Sequence, residues 1–421
     1  MKNKAGISKL AVSLRWSPEM AVAVGTLYRS SATGAILFEH DVAFLQRNIS
    51  LSPFHLATVS GAMQAKTDER PFFGLHGVFA DSLPDGWGLL VMAQAMRRMG
   101  LRYDETTALD KLAFIGKKAL GAIAYEPILD HPSEDSLGLN LTTLSDDANR
   151  ILEGSSDDIL SEILLVGGSP GGARPKIVAE IKAANLQSDY YSGPIISGHT
   201  ETTTEAYEPW LIKFAGKGDD HDAALTEFLY ARIAQQVGIK VEPTALFKDS
   251  KGRIWFGMRR FDRLPGGRRR HLHSLAGLLH ADFRIPSLDY EAFLKATYLL
   301  TRSKVEVEKA FRLAVFNAIF HNRDDHAKNF SFLMDEAGGW TLSPAYDLTW
   351  SAGPGGEHSM SYLGEGRNPS DEHFLELAKR VDISAKQAHQ ILEEVRSGVV
   401  LLRKRAKEMG AKSILERLSR Y

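Results

Sequence analysis

The chain contains no cysteine. That absence excludes disulfides, thiolate-bound zinc and thiol nucleophiles. No stretch approaches the roughly 18 apolar residues that a membrane-spanning helix needs, so no membrane partner is expected. An excess of either charge is also missing, with 51 Lys and Arg against 52 Asp and Glu. The whole molecule therefore has no field that would draw it to nucleic acid or to anionic lipid. The first fifteen residues are basic, but Lys9 and Arg15 interrupt their apolar run and no small-residue cleavage site follows. No signal peptide is read there, and the expected compartment is the cytoplasm. What is present is an ordinary globular balance, 44% hydrophobic and 24% charged over 421 residues, enough for two or more packed domains.

Short apolar runs broken by turn residues between 10 and about 60, such as 20–25 and 35–38, predict small antiparallel strands. Asp85 to Met99 carries a helical pattern closed by Gly100. Residues 126 to 158 are acidic, Ser- and Asp-rich, and hold Pro127 and Pro132, which predicts a boundary or a surface excursion. From 163 to 182 the pattern is strand, Gly-rich turn, strand, with the turn at Gly167 to Pro175. The polar stretch 185–207 is expected to be exposed. Trp210 to Phe214 and Ile254 to Met258 read as strands, and Asp222 to Val237 as a helix stopped by Gly238.

Beyond about residue 265 helix follows helix. The clearest runs from Ser384 to Met409, with Ser384 and Gln387 as a capping-box pair. Its apolar stripe is Ile391, Val395, Val399, Leu402 and Ala406. The expected fold class is α+β, with a β-rich N-terminal half and an all-helical C-terminal lobe, the polarity of a two-lobed protein-kinase-like fold.

The most informative stretch is His321-Asn322-Arg323-Asp324-Asp325-His326-Ala327-Lys328-Asn329, followed by Asp347. It gives an Asp, an Asn five positions on, and a second Asp across a short hairpin. The hairpin is read from β-prone 331–334 and 340–342 flanking the turn-forming Asp335 to Gly339. Kinase-type phosphotransferases use that order for a base and two Mg²⁺ ligands. Asp324 stands at the base position, and Asn329 and Asp347 offer the hard oxygens that Mg²⁺ prefers. Two plainer readings stand beside this one. The cluster could be a polar loop or helix cap, or His321, Asp324, Asp325 and His326 could form a metal-hydrolase site.

Lys213 sits inside an apolar strand, where it either faces solvent from an edge or reaches the α/β-phosphates of a nucleotide. Glu227 in the following helix either holds that ammonium or lies on a solvated face. The run Gly167 to Lys176 is dense in glycine, which allows backbone N–H groups to cradle phosphate. It matches neither a Walker A loop nor G-x-G-x-x-G, and a plain tight turn is the alternative. The arginines at 259, 260, 263, 268, 269 and 270, with His271 and His273, form the one basic run. The expectation is a solvated hinge loop, with contact to nucleic acid or an acidic partner as the alternative.

Together these residues resemble the HipA family of toxin kinases from bacterial toxin–antitoxin modules, over nearly the whole chain. Phe79 to Trp87 (Phe-Ala-Asp-Ser-Leu-Pro-Asp-Gly-Trp) is similar to the signature of the family's extra N-terminal subdomain. Ser169 to Lys176 resembles its Gly-rich loop, Trp210 to Phe214 its nucleotide-lysine strand and Arg260 to Arg263 its hinge. Asp324 to Ser331 and Pro344 to Asp347 resemble its catalytic and metal motifs. The resemblance implies a serine/threonine kinase using ATP and Mg²⁺. Asp324 and His326 would be the catalytic residues, and Asn329 and Asp347 the metal ligands.

The nucleotide would be held by Lys213, Gly168, Ser169, Gly171, Gly172, Ala173, Lys176, Arg259 and Phe261. Ser169 matches the family's autophosphorylation site, whose modification switches the kinase off. The implied partners are a small HipB-like helix-turn-helix antitoxin, operator DNA only indirectly through it, and a protein substrate such as an aminoacyl-tRNA synthetase. A catalytically silent, antitoxin-binding co-repressor is the alternative. The loop departs from the best-known pattern by carrying Pro170 and Pro175, and the hinge carries Arg259 where some relatives have an acidic residue. The expected domains are 1–125, the N-terminal subdomain; 126–262, the N-lobe; and 263–421, the C-lobe.

Overall fold

A computed structural model describes residues 6–67, 70–129, 138–154, 163, 172–198 and 206–419. The chain forms two compact units. The first comprises Met1–Asp219, Phe247–His273 and Met334–Gly338; the second comprises Asp220–Leu246, Ser274–Leu333 and Gly339–Tyr421.

The first unit opens with the expected small strands. Lys9–Arg15 alternates strictly, burying Leu10, Val12 and Leu14, the period of two that half-buries a strand. It lies between Ala21–Arg29 and Ile123–Glu126 in a five-stranded sheet completed by Ile36–His40 and Ala62–Gln64. The expected helix is present as Gly86–Arg98. The stretch 126–158 is more than an excursion, because it contains the helix Leu141–Leu152, N-capped by Asn140. Leu141, Leu144, Ala148 and Ile151 are buried, a helical spacing hidden in the sequence by the surrounding Ser and Asp.

A seven-stranded sheet has the order Leu186–Gln187, Tyr190–Tyr191, Thr244–Lys248, Ile254–Arg259, Glu208–Lys213, Lys176–Ile181, Ile195–Ser197. The division between units falls inside Thr244–Lys248. Lys176–Ile181 is buried at every position. The polar stretch expected to be exposed supplies three short strands, and its Tyr191 and Ser197 are buried. Of the strand expected over 163–166, only Ile163 is described, and it is helical.

The second unit carries the helices Ala223–Gln236, Leu275–Leu279, Tyr290–Thr301, Lys304–Ile319, Asp371–Arg380, Ala385–Met409 and Lys412–Leu418. It also holds most of the hairpin of Ser331–Met334 and Trp340–Leu342. The long helix begins at Ser384, whose hydroxyl accepts from the Gln387 amide at 3.3 Å, and ends at left-handed Gly410. Its inner face is Ala388, Ile391, Leu392, Val395, Gly398, Leu402 and Ala406; Val399 is only half-buried. Phe316 stacks on Phe320 at 4.1 Å, and the Tyr230 hydroxyl donates to the Phe320 carbonyl at 2.8 Å.

Candidate active site

The helix Lys304–Ile319 delivers the chain into the 321–329 loop. His321 and Asp347 both have left-handed backbones, φ +51° and +53°, a conformation that His and Asp adopt more readily than most residues. Asn322 Nδ2 donates to Asn317 Oδ1 at 2.9 Å and ties the loop to the helix. Asp324 is exposed, whereas Arg323 and Asp325 on either side are buried. Asn329 Nδ2 donates to the Asp324 carbonyl at 2.7 Å. Only the amide nitrogen can partner a carbonyl, so that bond leaves Asn329 Oδ1 as the acceptor end.

The hairpin then returns the chain. Ala337 N donates to Asp335 Oδ1 at 3.0 Å in its turn, and Ser343 N donates to the Ser331 carbonyl at 2.9 Å. The Tyr346 hydroxyl donates to the Lys328 carbonyl at 2.6 Å and lies 2.6 Å from Ser331 Oγ. Ser351 N donates to the His321 carbonyl at 3.0 Å, and Asn322 bridges Ser351 in parallel. Residues 346–351 thus run beside 321–328. Asn329 is bonded to Asp324, and Asp347 lies on the segment that runs beside their loop.

The donor set suits Mg²⁺, since Asn329 Oδ1 and the Asp347 carboxylate are hard oxygens on neighbouring segments. The metal-hydrolase reading fails on geometry. Among the described residues no three His, Asp or Glu side chains converge to hold a metal. Asp325 is wholly buried, and His326 packs against the Phe283 ring at 5.7 Å. Burial, with Arg323 beside it, pushes the His321 imidazole down to about 4, so that ring is neutral at physiological pH.

The candidate nucleotide residues lie in the first unit. Lys213 is on an interior strand and is 9% exposed, so the solvent-facing edge reading does not hold. It stands directly opposite Lys176, itself 3% exposed, and opposed residues of antiparallel strands share one face. Two ammonium groups are thereby set on the same face, along with buried Glu180. Glu227, in the second unit, is 3% exposed, which removes the solvated-face reading. Arg259 pairs with Glu208 at 3.2 Å, and Phe261 is half-buried.

The Gly-rich segment is described only from Gly172 onward; Gly168, Ser169 and Gly171 lie outside the described residues. Its exit is held by the signature motif. The Asp85 carboxylate accepts from the Gly172 amide and does not cap its own helix. Trp87 N donates to the Gly172 carbonyl at 3.0 Å, and Trp87 Nε1 donates to the Lys176 carbonyl at 2.9 Å. A Cβ on Gly86 would stand 2.7 Å from the Gly172 carbonyl oxygen, closer than any side chain tolerates. Ala173 is exposed, and Arg174 pairs with Asp219 at 3.2 Å.

The basic run is solvated only in part, with Arg268 exposed but Arg260 and the intervening Asp262 buried. Arg260 grips Asp262 with two bonds of 2.9 and 2.7 Å, and Arg263 adds a third at 2.9 Å. Gly121 N also donates to Asp262 at 2.8 Å, and Arg263 reaches the Ala119 carbonyl at 2.7 Å. Burial opposes ionisation of Asp262, but Arg260 and Arg263 outweigh it and hold the carboxyl well below its ordinary range. His271 and His273 are fully buried. His273 lies 2.7 Å from Asp81 and 2.9 Å from Ser52, the atom order of a Ser-His-Asp relay. Ser52 and His273 are both 0% exposed, so no substrate reaches that hydroxyl and the relay is a buried brace.

A family model of the HipA-like C-terminal domain matches residues 168–401, and one of the HipA N-terminal domain matches residues 20–126. The chain belongs to the HipA family. It is 28% identical over 292 residues to Y4mE, a kinase-named protein of Sinorhizobium fredii (strain NBRC 101917 / NGR234). That match takes in 66% of this chain and 63% of the relative's length. Among solved structures it resembles HipA of Shewanella oneidensis MR-1, determined in complex with HipB and operator DNA. There the identity is 17%, the TM-score 0.67, and the coverage 98% of this chain and 97% of the other. The α+β fold expected from the sequence is thus the HipA fold.

Proposed function

We propose that this protein is a Mg·ATP-dependent serine/threonine protein kinase acting as the toxin of a toxin–antitoxin module. The observation that carries the reading is the Asn329–Asp324 bond within the 321–329 loop, with the segment that bears Asp347 running beside it, in a HipA-family chain. The exposed Asp324 carboxylate accepts the proton of a Ser or Thr hydroxyl. The freed oxygen then bonds to the γ-phosphorus, the bond to the bridging oxygen breaks, and ADP leaves. Asn329 Oδ1 and the Asp347 carboxylate would hold Mg²⁺, which would offset the phosphates' negative charge.

Lys213 and Lys176 supply positive charge for the α- and β-phosphates, and the Gly-rich segment supplies backbone N–H groups other than that of Gly172, which is given to Asp85. Arg259 and Phe261 border the nucleotide at the hinge, and His326 supports the Asp324 loop. Ser169 is the site of self-inactivating phosphorylation. In this reading 1–125 is the HipA-type subdomain, 126–262 the kinase N-lobe and 263–421 the C-lobe.

The proposed partner is a HipB-like helix-turn-helix antitoxin, by likeness to the Shewanella HipA solved with HipB and operator DNA. DNA is reached only through it. The proposed substrate is a translation component such as an aminoacyl-tRNA synthetase, and the proposed compartment the cytoplasm. Among the described residues no helix is long and apolar enough to cross a membrane. A silent co-repressor has no observation in its favour, because every catalytic residue type is present. The test is ATP binding and ADP release. Lys213→Ala should weaken ATP binding at least tenfold; Asp324→Asn should abolish turnover with binding and melting temperature preserved. Full turnover by Asp324→Asn would sink the assignment.

A further inference from the structure

Asp325, the neighbour of the proposed base, takes no part in the chemistry above and is 0% exposed. Both of its oxygens are engaged. Oδ2 accepts from the Tyr290 hydroxyl at 2.7 Å and lies 2.7 Å from His358 Nδ1. Oδ1 accepts from the Ser359 amide at 2.7 Å. Burial and the adjacent carboxylate push the Tyr290 phenol far above its ordinary range, so it remains a donor. Behind it, Asn317 Nδ2 donates to the Tyr290 oxygen at 2.9 Å, and Asn317 also holds Asn322.

His358 and Ser359 belong to the segment 351–368, which follows Asp347. That segment folds upon itself, with His358 N donating to the Gly366 carbonyl at 2.7 Å and Tyr362 N to Glu365 at 2.8 Å. It is pinned to the Arg323–Asp325 triplet on both sides of the base. Ser359 Oγ donates to the Arg323 carbonyl at 3.1 Å, and Arg323 Nη2 donates to the Arg367 carbonyl at 2.9 Å. The Tyr362 ring stacks on Tyr290 at 4.3 Å. His358 is 3% exposed, while Pro354, Gly355, Gly364, Arg367 and Asn368 are exposed.

We propose that Asp325 and His358 are positioning residues that fix segment 351–368 as a preformed shelf beside Asp324, on which the acceptor polypeptide lies. The proposal rests on the kinase reading. Asp324 is the exposed member of a triplet whose other two members are both bonded to this segment. A hydroxyl brought to Asp324 therefore arrives alongside 351–368. A buried carboxylate with three donors is costly to disturb, so the shelf stays in one conformation without a modification to order it. Loss of the clasp should then impair phosphoryl transfer to polypeptide and spare nucleotide binding.

The experiment uses the full chain with His358→Leu, which deletes the N–H, and His358→Asn, which keeps an N–H near the Nδ1 position. Ser359→Ala removes one partly exposed bond. Three quantities are measured: the dissociation constant for Mg·ATP, phosphate transfer to a mixed Ser/Thr peptide library, and the rate of tryptic cleavage after Arg367. For His358→Leu we expect ATP affinity within twofold of wild type, transfer reduced at least tenfold, and cleavage at least fivefold faster. His358→Asn should recover half or more of the lost transfer. Ser359→Ala should move transfer and cleavage the same way by smaller factors, which keeps the test open if His358→Leu fails to fold. Wild-type transfer by His358→Leu, or unchanged cleavage after Arg367, overturns the shelf. If the wild type phosphorylates itself but transfers nothing to peptide, the shelf is overturned; if it does neither, the kinase reading fails separately, and the Arg367 cleavage rate still decides whether the clasp exists.

Discussion

Buried ionisable side chains are where single substitutions should speak most clearly. His271 is fully buried, with its Nε2 3.3 Å from the Leu51 carbonyl. Burial, reinforced by neighbouring His273, pushes its imidazole down to about 3. A histidine held neutral in the folded state and free to charge in the unfolded state stabilises the fold above its unfolded pKa of about 6.5. That stability drains as the pH falls from about 6.5 towards 3. The melting temperature should therefore drop between pH 7 and 5, and His271→Gln should reduce that drop by about 2–4 °C. An unchanged pH profile in differential scanning calorimetry would contradict this. Asp262 has the opposite charge type and a depressed carboxyl, so its contribution is present above about pH 4 and lost below it.

The spacing of the candidate site is legible in the residues because the Asp-to-Asn interval and the Asp335 to Gly339 turn are local. The arginine run misled, since what buries Arg260, Arg263 and Asp262 is the backbone of Ala119 and Gly121, some 140 positions earlier. The importance of Asp325 was equally hidden. Its partners Tyr290 and His358 come from either side in sequence and carry no spacing signal.

Among the elements, the helices and their stops were the easiest to read, with Gly100, Gly238 and Gly410 all at positive φ after helix ends. The helix Leu141–Leu152 is hidden in the sequence because Ser and Asp mask its helical period. The signature motif Phe79 to Trp87 was visible as a pattern, but its work was not. The structure shows the start of the helix Gly86–Arg98 gripping the exit of the Gly-rich segment through Asp85 and Trp87. Gly86→Ala should force Gly172 away, since its backbone has φ +44° and the new Cβ meets the Gly172 carbonyl. We expect ATP affinity to fall about tenfold, or ~1.4 kcal/mol, measured by isothermal titration. Unchanged affinity would mean that the grip does not set the loop.

For the whole molecule, a near-balanced charge of −1 and the absence of cysteine set only what the protein is not. Family membership came from the order of several weak motifs, each ambiguous alone. Substrate choice has no such signature, because it resides in surface shape and not in catalytic spacing. Phosphoryl transfer by the Asp324 loop is open to one direct test. Purified, phosphatase-treated protein should be incubated with Mg·ATP and its intact mass and phosphopeptides mapped, with Asp324→Asn alongside. One phosphate should be added, at Ser169, in the wild type alone. Phosphate gained equally by Asp324→Asn, or none gained by the wild type despite bound ATP, would contradict it.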